Sequence, residues 1–314
     1  MTRVLITGAG GFVGQALRSV LEDAGLEIIP VFRTPQPSLK KGNRNAVVGK
    51  FIDGKTVWGD ELDDVDVVIH LAAKVHVMDR SKSGDLANFR EVNVEGTRNL
   101  AIKAARSGVK RFVYLSSIKV NGERTDVIPF AADQAPRPED AYAISKKEAE
   151  VALREVEKET GMEVVIIRPP LVYGPGVKGN LASLVLLVKK GIPLPLAAVK
   201  NRRDLVSVYN LCDLIRVCCL HPAAAGRTFL VCDGESMSTA VLIRHMAEGL
   251  NLKARLFVVP IRALRLVARI FGKAEKVERL TGNLQIDMST TQEVLDWKPP
   301  LTVIQSFKKM FAEG

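Results

Sequence analysis

The chain lacks any apolar run near the roughly 18 residues that a bilayer crossing takes. No transmembrane helix is therefore expected. It also lacks the pattern of a signal peptide, because Met1-Thr2-Arg3 leads straight into a strand-like run. Cysteine is scarce. Cys212, Cys218, Cys219 and Cys232 show neither CxxC nor metal-ligand spacing and sit among apolar neighbours. They read as reduced core thiols, with no bound metal and a cytoplasmic location. Zinc-finger spacing and aromatic-basic RNA motifs are missing too, so nucleic acid is not expected as a partner. No internal repeat or low-complexity tract breaks the chain.

What is present fits a globular enzyme. The 314 residues are 47% hydrophobic and 25% charged, enough for one large or two intergrown domains with ample core. The net charge of +10 is lopsided. Residues 1–160 hold 24 basic and 23 acidic side chains, residues 161–314 hold 21 and 12. Such an excess suits a phosphate-bearing ligand or an anionic membrane surface.

The chain is organised around its start. Val4-Leu5-Ile6 reads as a strand, Thr7-Gly8-Ala9-Gly10-Gly11-Phe12-Val13-Gly14 as a glycine turn, and Gln15 to Ala24 as a helix. That order turns a glycine pattern into a dinucleotide-site expectation. Gly8 permits the tight turn, Gly11 lets backbone approach a pyrophosphate, and Gly14 lets the helix pack close. The helix N-terminus offers free N–H groups to the phosphates.

Strands are expected at 3–7, 27–32, 46–48, 65–71, 111–116 and 163–167, and helices at 12–24, 86–107 and 141–160. The apolar, β-branched run Val65 to Leu71 is what a strand covered on both faces should show. Repeated strand–helix units predict an α/β fold, a doubly wound parallel (Rossmann) sheet. Residues 1–168 form the cofactor domain, with Val206–Leu220 and Arg227–Val231 read as a return to the sheet (about 205–233). Residues 169–314 form a smaller, interleaved C-terminal α/β domain, with a helix at Leu181–Val188 and at least two more beyond 236.

Strand two, Ile28 to Thr34, ends without the acid that reads the ribose hydroxyls in NAD sites. Arg33 stands there and can pair with a 2′-phosphate, which favours NADP(H) over NAD(H). Lys40, Lys41 and Arg44 add charge but read as solvated. Strand four ends in His70-Leu71-Ala72-Ala73, whose small residues leave room for a cofactor. His70 reads as a satisfied core histidine rather than a catalyst. Asn93 sits within a helix, where asparagine marks a specific hydrogen bond.

Tyr142 and Lys146 open a helix four residues apart, hence on one face. A nearby ammonium lowers a phenol's pKa toward the working range, so the pair suits proton exchange with a hydroxyl or ketone. Ser117, at the end of the strand Phe112 to Ser116, can bond the same oxygen.

On these motifs, with Asn93-Val94-Glu95-Gly96-Thr97 and Arg168 to Gly176, the chain resembles the extended short-chain dehydrogenase/reductases of the UDP-galactose 4-epimerase type. The resemblance implies that Tyr142 is the acid/base, Lys146 holds the nicotinamide ribose, and Ser117 positions substrate. It places Phe12, Val13, Asn93, Leu115, Pro169 and Val172 with the glycines, Leu71, Ala72 and Ala73 at the cofactor. It also places Asn180 and Arg203 at the diphosphate of a UDP-sugar, and suggests a homodimer through helices 86–107 and 141–160. Asn121 replaces a tyrosine common in that family. The runs around Ser117 and Val172 are most similar to bacterial UDP-4-keto-6-deoxy-N-acetylhexosamine 4-reductases of surface polysaccharide synthesis. A 4-epimerase with retained NAD stays open as the alternative, as do a different carbonyl substrate and a non-catalytic NADP sensor.

In Ile261 to Lys273, Arg262, Arg265, Arg269 and Lys273 share a helix face beside Leu264, Val267, Ala268 and Phe271. An ordinary domain helix with solvated arginines is the favoured reading, and an interfacial helix on anionic lipid the sharper one.

Overall fold

A computed structural model describes residues 1–34, 46–75, 86–272 and 274–313. In the first half the elements run β1 (Arg3–Thr7), α1 (Phe12–Asp23), β2 (Glu27–Phe32), β3 (Val47–Val48) and β4 (Val67–His70). Then come α2 (Leu86–Arg90), a π-helical turn (Glu91–Gly96), α3 (Thr97–Arg106), β5 (Arg111–Leu115), α4 (Ala141–Thr160) and β6 (Glu163–Arg168). The second half adds β7 (Leu171–Tyr173), α5 (Gly179–Lys189), β8 (Leu205–Ser207), α6 (Val208–Leu220) and β9 (Thr228–Leu230). It ends with α7 (Thr239–Gly249), α8 (Ile261–Ile270), α9 (Ala274–Thr281), α10 (Ser289–Leu295) and α11 (Val303–Glu313).

The main sheet is parallel throughout, in the order β3-β2-β1-β4-β5-β6-β9. The order reverses between β1 and β4, where a doubly wound sheet opens its ligand crevice at the carboxyl ends. Alternate residues of each strand feed two cores. Val4 and Ile6 pack with Leu17, Leu21, Leu211 and Ile215 of α1 and α6. Leu5 packs with Leu100, Ala104, Ala149 and Leu153 of α3 and α4. The expected doubly wound sheet is therefore present, with β1, β2 and α4 at their expected bounds. A third core joins Tyr173, Leu184, Met246 and Phe307 beside the small parallel pair β7–β8, forming the C-terminal layer.

One expectation is met only in part. Val206 to Leu220 returns to pack on the main sheet but adds no strand to it. β8 pairs with β7, and Val208–Leu220 is helix α6 against α1. Among its buried positions, 208, 211, 212, 215, 218 and 219 follow a helical period of three and four, not two. Only β9 rejoins the sheet, beside β6. The helix expected at 86–107 is also interrupted, by the π turn at 91–96. The four cysteines are free and buried. Among the described residues no helix is long and apolar enough to cross a membrane, and no cluster of side chains could hold a metal.

Candidate active site

The glycine turn closes directly on the end of β4. Gly8 has φ +69°, a backbone conformation that favours glycine. A Cβ there would stand 2.8 Å from the Ala72 nitrogen. A Cβ on Gly14 would stand 2.3 Å from the Gly8 oxygen. Neither position admits a side chain. Gly11 starts α1 with no side-chain cap, so the first-turn N–H groups face the turn. The cradle therefore fits a pyrophosphate approaching backbone. Phe12 lies close to Gly174, just past β7, which brings the turn and the β7 loop together.

Behind this cradle runs a buried hydrogen-bond chain. Thr97 Oγ1 donates to the Asn93 carbonyl at 2.7 Å, so it must accept from His70 Nε2 at 3.0 Å. Nδ1 of His70 is then the acceptor from Thr7 Oγ1, at 2.7 Å. Burial holds the His70 pKa down to about 3, with Lys146 adding to the shift. His70 is thus a neutral core histidine, as expected from the sequence. The π turn aims Asn93 inward. Its amide donates to the Lys74 carbonyl (3.0 Å) and to Ser145 Oγ (2.9 Å), and accepts from the Lys74 N–H (2.8 Å). Asn93 thereby sets the loop after Leu71, Ala72 and Ala73.

Ser117 follows β5 in extended conformation and caps a single turn at Ile118–Val120. The loop is stitched to β6 by Ser116 N–H to the Ile167 carbonyl (2.8 Å) and Ile118 N–H to the Pro169 carbonyl (2.9 Å). Tyr142 is the second residue of α4. Asp140 caps that helix through the Ala143 N–H at 2.7 Å, and its other oxygen accepts from Lys119 Nζ at 2.7 Å. Asp140 so clamps the Ser117 loop to the helix start that carries Tyr142. Phe89 meets the Tyr142 ring edge-on at 6.3 Å.

Tyr142 and Ser117 are brought together, with the serine near enough to favour the ionised phenol. Burial first and Asp140 second hold the phenol above its usual pKa, and Ser117 acts the other way. Lys146 is buried one turn on. Its Nζ donates to the Leu115 carbonyl (2.7 Å) and the Tyr114 hydroxyl (3.2 Å). Desolvation pushes it down to about 7, against the pull of Glu150. The expectation that Lys146 lowers the Tyr142 pKa is therefore not met in this structure. The ammonium is drawn to the β5 backbone and the Tyr114 ring, whose centroid lies 4.4 Å away.

Val172, on β7, is half-buried against the sheet core. Arg33 stands exposed just past β2. Lys40, Lys41 and Arg44 lie outside the described residues. Arg203 Nη1 donates to the Arg279 carbonyl at 2.8 Å; burial lowers its pKa, and Glu123, the partner of Lys119, works the other way. Asn180 is exposed in the first turn of α5. No contact among the described residues ties it to Ser117 or Tyr142. Sequence reasoning missed the Lys119–Asp140 clamp and the buried pair Glu150–Arg168. Asp140 carried a readable signal as an aspartate N-cap three residues before Ala143. Glu150 carried none.

Residues 4–232 match the model of the NAD dependent epimerase/dehydratase family. The chain is 46% identical to UDP-glucose 4-epimerase of Vibrio cholerae over 98% of this chain and 93% of that protein. It superposes on UDP-N-acetylglucosamine 4-epimerase from Bacillus cereus with a TM-score of 0.81 at 19% identity, covering 100% and 99% of the two chains. RMD from Pseudomonas aeruginosa, solved with NADPH, gives 0.73 at 23% identity, covering 99% of each. These two likenesses establish the fold.

Proposed function

The chain belongs to the NAD dependent epimerase/dehydratase family, and on that premise we propose that it moves a hydride at C4 of a UDP-hexose using a nicotinamide cofactor. The observation that carries this reading is the juxtaposition of Ser117 and Tyr142, with Lys146 one turn on, at the sheet edge where the glycine cradle opens. Relatives with these activities support it.

The cofactor, when bound, supplies or takes the hydride and nothing else. Tyr142 holds the proton at the C4 oxygen, taking it as a hydroxyl is oxidised and giving it as a ketone is reduced. Ser117 donates to the same oxygen and fixes it beside the phenol. Lys146 is assigned to the nicotinamide ribose. The Gly8–Gly14 cradle and the α1 N-terminus hold the pyrophosphate. Asn93 fixes the backbone of Lys74 and so the floor of the crevice. Arg203 and Asn180 are assigned to the sugar's diphosphate.

Net reduction of a UDP-4-keto-6-deoxy-N-acetylhexosamine with NADPH is the first reading, supported by Arg33 at the acid-free end of β2. Epimerisation with a retained NAD is the second, favoured by the 46% identical relative named a UDP-glucose 4-epimerase. Incubation with UDP-N-acetylglucosamine, and separately with a UDP-4-keto-6-deoxy sugar, with and without NADPH, separates the two by NMR of the products. NADPH-dependent loss of the ketone is expected. Epimerised product without added reductant overturns the first reading, and no change in either sugar overturns both. Quenching of NADPH fluorescence on binding reports the cofactor site independently of turnover.

A further inference from the structure

Helix α8 shows two chemistries on one exposed surface. Ile261 and Leu264 turn partly inward, and Ala268 is buried. Arg262, Arg265 and Arg269 form a stripe on one flank. The remaining arc carries Leu266, Val267, Ile270 and Phe271, which are 61%, 52%, 73% and 70% exposed. The apolar band expected from the sequence is therefore split. Leu264 and Ala268 serve the fold, while Val267 and Phe271 join Leu266 and Ile270 in water. Single exposed hydrophobics are ordinary, but four large ones on one helix arc mark an interaction face.

The charges carried by α8 itself have one sign. Residues 249–274 contain six basic side chains and no acidic one. Arg265 is paired with Glu278 at 2.9 Å, both exposed. Neither Arg262 nor Arg269 has an ion-pair partner among the described residues. α9 packs on α8, and its C-terminal end supplies the Arg279 carbonyl to Arg203 and the Gly282 carbonyl to Asn201 Nδ2 (2.9 Å).

We propose that α8 docks the protein peripherally on an anionic lipid surface. Leu266, Val267, Ile270 and Phe271 enter the headgroup boundary, and Arg262 and Arg269 meet the lipid phosphates. Charge selects this occupant. A second copy seated on α8 would set arginines against arginines, whereas an anionic bilayer complements both the stripe and the apolar arc. The helix has ten residues, too short to span a bilayer, so it lies in the plane of the interface. Docking there leaves the α9 end, bonded to Arg203, next to the lipid surface.

Co-sedimentation with vesicles tests this. The probes are phosphatidylcholine alone and phosphatidylcholine mixed with phosphatidylglycerol, each at low and high salt. The full chain is expected to pellet with the mixed vesicles at low salt and to be released at high salt. The charge reversal Arg262→Glu/Arg269→Glu is expected to weaken binding by about tenfold or more. Ile270→Glu/Phe271→Glu is expected to abolish it. These side chains are exposed, so both variants should melt like the parent, and the two act through different physics. Failure to pellet with mixed vesicles at low salt overturns the proposal, as does equal binding to neutral ones. It is overturned too if Ile270→Glu/Phe271→Glu splits an oligomer in sedimentation velocity while the parent ignores vesicles, which would make α8 a self-interface.

Discussion

Arg168 donates Nε and Nη2 to the two carboxylate oxygens of Glu150, at 2.9 and 2.6 Å, and both side chains are 7% exposed. The pair is surrounded by further bonds. Ser116 Oγ donates to the same carboxylate at 2.5 Å, and Arg168 Nη1 donates to Asn121 Oδ1 at 2.9 Å. It thus ties the end of β6, the loop that carries Ser117, and the helix of Tyr142 into one buried network. Asn121 works here as a holder of Arg168.

Removing one member of a buried pair leaves a charge with no counter-ion, which costs about 3–5 kcal/mol. Arg168→Met should therefore lower the unfolding free energy by about that amount in urea titrations. The double variant Glu150→Gln/Arg168→Met should recover most of the loss, because the orphaned charge is gone. A loss under about 1 kcal/mol in the single variant would mean that water reaches Glu150.

Tyr142→Phe removes the phenolic proton beside Ser117 and little packing. Turnover should be abolished while NADPH binding, read by fluorescence, stays within about threefold, since the ring and its edge contact with Phe89 remain. Ser117→Ala should lower kcat with the tyrosine still in place. Full activity of Tyr142→Phe would remove the tyrosine from the chemistry.

The parts of this site that sequence made legible are set by local rules, either a backbone need or a helical period. Gly8 and Gly14 are readable because a Cβ would collide with backbone. Tyr142 and Lys146 are readable because a period of four puts them on one face of α4. The helix α6 was not, because its adjacent Val217-Cys218-Cys219-Leu220 run looks like a buried strand until its inward positions are known. The π turn was not, because nothing local encodes it. Asn93's bonds to Lys74 and Ser145 hold it, together with Gly96, where a Cβ would meet the backbone of Ile52 and Asp53 at 3.0 Å. The Lys119–Asp140 clamp joins residues 21 apart, a pairing that periodicity does not carry.

Arg33 discriminates the two cofactors if it meets the 2′-phosphate. A charge-assisted hydrogen bond contributes about 1.5–3 kcal/mol, or roughly ten- to a hundredfold. Arg33→Asp should raise the dissociation constant of NADPH by about that factor and leave NADH nearly unchanged. Titration of both cofactors by fluorescence reads this directly. Equal loss for both would take Arg33 out of cofactor selection and strengthen the retained-NAD reading.

Lys146 makes a prediction about pH whose sign follows from burial. Its folded pKa is pushed down to about 7, below an unfolded value near 10.5. Between these values the unfolded chain binds a proton that the folded chain does not, so stability rises with pH across that window. Below about 7 the ammonium is charged in both states and the desolvation penalty is fully present. Above about 10.5 the amine is neutral in both and the penalty is gone. Lys146→Met carries no such group. The unfolding free energy of the parent minus that of Lys146→Met should therefore climb from about pH 7 toward pH 10. Subtracting the variant cancels groups that titrate independently of Lys146. A flat difference would mean that the Leu115 carbonyl and the Tyr114 hydroxyl fully replace water around the charge. A falling one would mean that Glu150 outweighs desolvation and holds the ammonium charged.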